Sequence, residues 1–289
     1  KLNAFTFEKT TNILLKGVTV QLWDMDSNKL VGEVSNPDSN NFSFDLIKGR
    51  NYQLIAFKNK YESTELKITP IETATEDTLK RNLFLELSAI AELRRLLPIR
   101  LFFDNDMPNP RSDSDTTNVL FSKIYNDYVA KKGQYIKEYT RVLKGPSREK
   151  AMFEIDTFFE KEVKLNGDKL ELFMEKLQII LEEGHEIDIF LKGYSSPRAK
   201  SDYNQRLSSR RVNSIRNEFN VYGNGSFHIF IKSGTLEIVE IPFGESKAST
   251  DVSDSLEDTR NSIYSLKAAF ERRVEILEIL KGVDDAGRL

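Results

Sequence analysis

Apolar residues alternate with polar ones through four short runs early in the chain: Val18, Val20 and Leu22; Phe42, Phe44 and Leu46; Tyr52, Leu54 and Ala56; Leu66 and Ile68. A period of two puts one set of side chains on a single face, so each run predicts a strand with one buried side. Turn-forming clusters separate the runs, at Asp26-Ser27-Asn28, from Asn36 to Asn41, and at Lys48-Gly49-Arg50-Asn51. A last run, Leu83-Phe84-Leu85-Glu86-Leu87, closes the set. Short strands at this spacing predict a small all-β sandwich over 1–88.

From Leu96 the pattern changes. Leu101-Phe102-Phe103 predicts a short strand that ends in Asp104-Asn105-Asp106, before the breakers Pro108-Asn109-Pro110. Apolar stripes of helical period follow: Phe121, Ile124, Tyr125 and Tyr128; Ile136, Tyr139 and Leu143; Met152, Ile155 and Phe159. Leu170, Phe173, Leu177 and Leu181 predict a long amphipathic helix ending at Gly184. Ile187, Ile189 and Leu191 then alternate into Gly193-Tyr194, and a helix after Ser201 is expected to bury Leu207, Val212, Ile215 and Phe219. Phe227 to Ile231 is expected as a strand with Thr235 to Ile241 as its partner. Glu245 to Asp258 reads as a polar loop, Ile263 to Phe270 as a short helix, and Arg272 to Ile276 as a final strand. The fold class expected is therefore α+β, an all-β unit followed by a sheet with helices packed on it.

Composition narrows the functions open to the chain. Its 289 residues suit about two domains, and its net charge of −3 gives no general basis for binding nucleic acid. Cysteine is absent, which excludes disulfides and thiolate metal sites. With two histidines, His185 and His228, a histidine-based triad or multi-histidine metal centre has little material. No G-x-S-x-G or Walker loop occurs, and Gly223-Asn224-Gly225 reads as a turn. Asp104, Asp106, Asp113 and Asp115 lack the glycine and terminal glutamate of a calcium-binding helix–loop–helix. No catalytic residue, metal site or cofactor is read from the sequence. No run approaches the ~18 apolar residues of a membrane span, so contact with a membrane is expected only through an N-terminal lipid outside this chain.

Two resemblances add to this reading. Gly17 to Leu22, Asn41-Phe42-Ser43-Phe44, and Gly49-Arg50-Asn51-Tyr52 followed by Tyr61 resemble a carboxypeptidase regulatory-like β-sandwich, a family without catalytic activity. Further on, three segments in order resemble the peptidoglycan-binding OmpA-like domain. Phe103-Asp104-Asn105-Asp106 is similar to its opening F-D-x-D. Gly193-Tyr194-Ser195-Ser196 and Tyr203 to Val212 are similar to its G-Y-T-D, Y-N-x-x-L-S-x-x-R motif. Ala269 to Ile276 is similar to its closing A-x-N-R-R-V-E-I, with Glu271 in place of Asn. The resemblance implies a βαβαβ domain over 96–289 with a helical insertion at about 112–165. Similar helices, and a preceding regulatory-like sandwich, occur in a subgroup, the PorE-type lipoproteins of type IX secretion machinery.

The resemblance implies non-covalent binding of a peptidoglycan stem peptide through diaminopimelate, whose end pairs a carboxylate with an amine. Arg211, Asn204 and Leu207 match the family's motif positions. A guanidinium can grip a carboxylate with two parallel bonds, and an asparagine can donate and accept. Ser195 and Ser196 are expected to donate to the carboxylate, and Asp104 or Asp106 to receive the amine, because the family's Asp after G-Y-T is here Ser196. Plainer roles stay open: Arg211 at the surface or paired with Asp104, Asn204 bracing its loop, and both aspartates capping turns. Arg210 is expected in solvent, and Arg272 and Arg273 as salt-bridge anchors of the last strand. The location expected is the periplasm, associated with the outer membrane, with envelope or secretion-complex proteins as further partners. The alternative is a protein-interaction adaptor whose wall pocket has degenerated.

Overall fold

The computed structural model describes residues 1–280 and shows a mixed α+β protein with three sheets among them. Positions 281–289 of the expected C-terminal domain lie outside the described residues. One compact unit spans Lys1–Glu92 and a second begins at Leu93.

The first unit contains β1 (Leu2–Glu8), β2 (Val18–Asp24), β3 (Lys29–Asn36), β4 (Asn41–Phe44), β5 (Tyr52–Phe57), β6 (Thr64–Ile68), α1 (Pro70–Thr75) and β7 (Leu79–Leu85). One sheet has the order β4-β1-β7 and the other β3-β2-β5-β6. The second sheet is antiparallel throughout, whereas β1 runs parallel to β7. Both sheets contribute to one core, including Leu2, Ala4, Val18, Val20, Leu22, Phe42, Leu54, Leu79 and Leu83. Each fully buried aliphatic side chain there contributes roughly 1.5–3 kcal/mol. α1 starts cleanly because Thr69 and Glu72 cap each other, with Pro70 in its first turn.

β1 was hidden in the sequence because its inward side turns polar after Ala4. Thr6 and Glu8 are buried, satisfied by the Thr6 hydroxyl donating to Leu15 O (2.6 Å) and by Thr10 and Thr11 donating to the Glu8 carboxylate.

α2 (Ala89–Arg95) crosses the division between the units, and β8 (Ile99–Phe102) opens the second sheet. Then come α3 (Phe121–Ala130), α4 (Lys132–Thr140) and α5 (Gly145–Thr157). α5 continues through a π-helical segment, Phe158–Lys164, into α6 (Leu165–Glu182). The wider turn of the π segment lets the consecutive Phe158 and Phe159 both reach the core, with ring centroids 5.5 Å apart. They pack with Phe102, Tyr128, Tyr135, Ile155 and Ala269.

β9 (Ile187–Gly193), α7 (Ser201–Val221), α8 (His228–Ser233), β10 (Leu236–Pro242), α9 (Thr259–Ser262), α10 (Leu266–Glu271) and β11 (Arg273–Leu280) complete the unit. Its sheet has the order β10-β9-β11-β8, with β9 and β10 parallel and β11 antiparallel to both of its neighbours. α7 lies against β9, β10 and β11.

One expected strand is a helix instead. Phe227 to Ile231 forms no strand; His228–Ser233 is a helix set off by Gly225 and Gly234, both with positive φ. A short apolar run cannot separate strand from helix by period alone. Here Phe227 is buried while Ile229 is exposed, and β10 pairs with β9 instead.

Gly193 fixes the distance from β9 to α7. A Cβ on it would lie 2.6 Å from Val212 Cγ2 and 2.8 Å from the Ser208 carbonyl oxygen. The second atom is helix backbone and cannot step aside. Gly193→Ala is therefore expected to destabilise the protein by roughly 1–3 kcal/mol, lowering the melting temperature by about 2–12 °C. An unchanged thermal transition would show that α7 does not rest on this contact.

Candidate functional site

The candidate site lies in the second unit, where the loop after β8, the loop after β9 and the first turns of α7 meet. They enclose, with part of the 245–258 segment, a cavity of about 800 Å³. Asp106, Ser196, Asn204, Leu207 and Arg211 line it. The structure thus brings five of the seven expected ligand residues to one cavity; Asp104 and Ser195 do not line it.

Ser195 faces inward. Its N–H donates to Gly244 O (2.9 Å) and its hydroxyl to Asn204 O (3.3 Å), so it ties the loop to its surroundings. Ser196, 5% exposed, makes no hydrogen bond with another described residue. Asn204 donates from Nδ2 to Ala199 O (2.8 Å), which braces the 194–200 loop at the cavity wall. Leu207 is the buried apolar contribution of the helix face.

Arg211 is neither at the surface nor, among the described residues, paired with a carboxylate. Its guanidinium donates to Met107 O (3.0 Å), Tyr194 O (2.8 Å) and Asp104 O (3.4 Å), and lies over the Phe103 ring. Burial, and then the charge of Arg272, push its pKa down to about 9. It remains a cation at neutral pH, buried in the cavity floor and solvated by carbonyl dipoles.

Arg210 corrects the expectation of a solvated side chain. It is fully buried and donates to Pro108 O (3.1 Å), Ser112 O (3.0 Å), Ser114 O (2.5 Å) and the Tyr203 hydroxyl (3.3 Å). The irregular segment after β8 folds over this face of α7, and no local pattern announces a contact between residues so far apart in sequence.

Arg272 is also fully buried. It donates to Ile263 O (2.9 Å), the Tyr135 hydroxyl (3.1 Å) and Phe103 O (3.4 Å), so carbonyls and a phenol replace the expected salt bridge. Arg273 does form salt bridges, to Glu275 (2.7 Å) and Glu271 (3.3 Å).

Asp104 points away from the cavity. Its carboxylate accepts from Lys131 Nζ (2.5 Å), the Tyr135 hydroxyl (2.6 Å) and the Asn105 N–H (2.7 Å). Burial alone would raise its pKa, but Lys131, Tyr135 and the nearby Arg272 outweigh burial and hold it below the usual carboxylate range. Burial raises the Tyr135 pKa well above the ordinary phenol value. The Tyr128 hydroxyl lies close enough to Arg272 to interact, yet neither it nor Arg272 Nη1 has a hydrogen bond of normal geometry.

Asp106, two residues on, adopts φ 59°, which turns it to the other side of the loop. It accepts from the Tyr203 hydroxyl and from the Arg111 N–H (3.2 Å).

The rest of the lining was not singled out from the sequence. Arg111, Asp113, Arg198, Lys200, Asp202, Tyr203, Arg206, Asp254 and Leu256 contribute, giving the cavity both signs of charge. Tyr203 stood within the Y-N motif and was readable as a site residue. Asp254 and Leu256 carried no signal, because long-range contacts draw that segment in: Arg198 donates to Leu256 O (3.1 Å) and the Ser262 hydroxyl (3.0 Å), and the Ser249 N–H donates to Glu271 (3.0 Å). α7 has no side-chain cap, so the N–H groups of its first turn add a positive field at the cavity.

Among the described residues no group of His, Cys, Asp or Glu is placed to hold a metal ion, and no helix is long and apolar enough to cross a membrane. No protein-family model matches the chain, and no similar curated protein is found.

Because the folded Asp104 pKa is depressed, its stabilising contribution is complete above the unfolded value near ~4 and is lost as pH falls through the folded value. Asp104→Asn should cost about 3 kcal/mol near neutral pH, since Lys131 and Arg272 lose their anion. That cost should shrink as the solution is acidified below about pH 4. Urea midpoints of wild type and variant across this range would test it; a constant gap would rule out the ionised carboxylate as the cause.

Proposed function

We propose that the chain is a carboxypeptidase regulatory-like β-sandwich followed by an OmpA-like βαβαβ domain with inserted helices. The second unit binds the diaminopimelate end of a peptidoglycan stem peptide without making or breaking a bond. The protein then anchors an outer-membrane or secretion-system assembly to the wall from the periplasm. Its first unit and inserted helices contact envelope proteins, those of a type IX secretion complex on the strength of the sequence resemblance.

The observation that carries this reading is the convergence of Asp106, Ser196, Asn204, Leu207 and Arg211 on one cavity. These residues come from two of the segments on which the resemblance was built. Their chemistry suits a small zwitterion. A carboxylate placed at the start of α7 lies in the field of the helix and of the buried Arg211, with the Ser196 hydroxyl as donor. Lys200 and Arg111 add cationic side chains on the same lining. The cavity is also large enough for a short peptide, within the ~300–1,000 Å³ of small-ligand sites.

The second reading, a protein adaptor with a degenerate pocket, draws on two observations. Arg211 has no exposed surface, and Ser196 is a weaker partner than a carboxylate for an ammonium. Binding to repetitive wall by avidity tolerates a modest affinity for each site, so a weak pocket still anchors.

Calorimetric titration of the intact protein with a diaminopimelate-containing tripeptide separates the two. The lysine-containing tripeptide, which lacks the distal carboxylate, is the control. Binding is expected with the first peptide and at least about tenfold weaker with the second, the loss of one charge-assisted contact. Equal affinity for both peptides, or no heat from either at millimolar concentration, would favour the adaptor.

A further inference from the structure

We infer that Asp106 is the acceptor for the ligand's ammonium group, replacing a carboxylate at position 196; the inference rests on the wall-binding reading above. Four carboxylates line the cavity: Asp106, Asp113, Asp202 and Asp254. Asp202 is committed to Arg206 at 3.2 Å, and Asp113, nearly fully exposed, lies 3.6 Å from the same guanidinium. Asp254 is exposed on the 245–258 segment, where water already solvates it.

Asp106 differs from all three. It is half-buried, and the two groups that bind it, the Tyr203 hydroxyl and the Arg111 N–H, are neutral donors. They fix the carboxylate in place without cancelling its charge. No ion pair to Asp106 is formed among the described residues, although its charge acts on Arg211 and helps to keep that guanidinium protonated. The cavity thus holds an anion and a cation near each other but not in contact. A ligand carrying both charges can lie between them, its ammonium paired with Asp106 and its carboxylate held in the field of the buried Arg211.

The Ser196 hydroxyl supplies an independent observation. It is buried, lines the same cavity and has no hydrogen-bond partner among the described residues. A neutral hydroxyl beside the carboxylate end can donate to it, whereas an aspartate there would repel it unless an ammonium lay between. The serine therefore fits a site whose negative pole lies across the cavity, at Asp106.

The tripeptide test extends to a third ligand, in which 2-aminopimelate replaces diaminopimelate so that only the distal amine is missing. Wild type is expected to bind the amine-bearing peptide about tenfold or more tightly than this deaminated one. Asp106→Asn should remove most of that preference while retaining the fold. Asparagine tolerates positive φ and its oxygen can still accept from Tyr203. Adding Ser196→Asp to Asp106→Asn should restore the preference. Equal binding of both peptides by wild type would overturn the assignment without recourse to any variant. A full preference surviving in folded Asp106→Asn would do the same while leaving the wall-binding reading intact. No binding of any of the three peptides by wild type would sink both.

Discussion

Three buried guanidinium groups with no carboxylate partner among the described residues, those of Arg210, Arg211 and Arg272, hold the second unit's irregular segments in place. Together they donate to the carbonyls of Phe103, Asp104, Met107, Pro108, Ser112, Ser114, Tyr194 and Ile263. A loop buried against a helix must satisfy its backbone oxygens somewhere. The segment after β8 has no strand partner from Asp104 onward, so arginine side chains take that place. Arginine suits the task because its planar fork offers five donors and keeps its charge when buried. A lysine would bring three donors and a charge that burial discharges more readily.

This arrangement leaves an imbalance. Near the three buried cations one buried aspartate, Asp104, carries the opposite charge, and it is already bonded to Lys131 and Tyr135. Lys131 and Tyr135 come from α4 and the residue before it, within the stretch the sequence marked as an insertion. The helices of that stretch therefore neutralise Asp104, whereas the half-buried Asp106 forms no ion pair among the described residues. A structural role and the proposed ligand-facing role thus fall to two aspartates two residues apart, the second of them with positive φ.

Much of this was legible in the chain. Asn204, Leu207 and Arg211 stand at i, i+3 and i+7, so a helix brings them to one face, and α7 does so. Alternation located β2, β4, β5 and β6 because their inward positions are apolar. The failures have equally definite causes. β1 satisfies polar inward side chains by hydrogen bonds that a hydropathy pattern cannot register. Arg210 looked solvated because helical period reports which residues share a face, not how many faces are covered. Asp104 and Asp106 could not be told apart, since a loop has no period and their difference lies in backbone torsion and in partners from another helix.

Under the proposed wall-binding reading, the buried position of Arg211 sets how a ligand would be recognised at this cavity. A guanidinium that already serves three carbonyls is fixed before any ligand arrives, so no side-chain ordering is lost on binding. Its charge still acts at a distance: at an effective dielectric near 20, a carboxylate about 6 Å away gains about 3 kcal/mol before desolvation is subtracted. Burial also shields that field from salt more than it would be at the surface. Direct contact is left to softer partners, the Ser196 hydroxyl and the helix N–H groups, which adjust to the ligand's shape. A lattice that evolved constraints on loop backbone thus also supplies the positive pole of the site, and the same side chain meets both demands without moving.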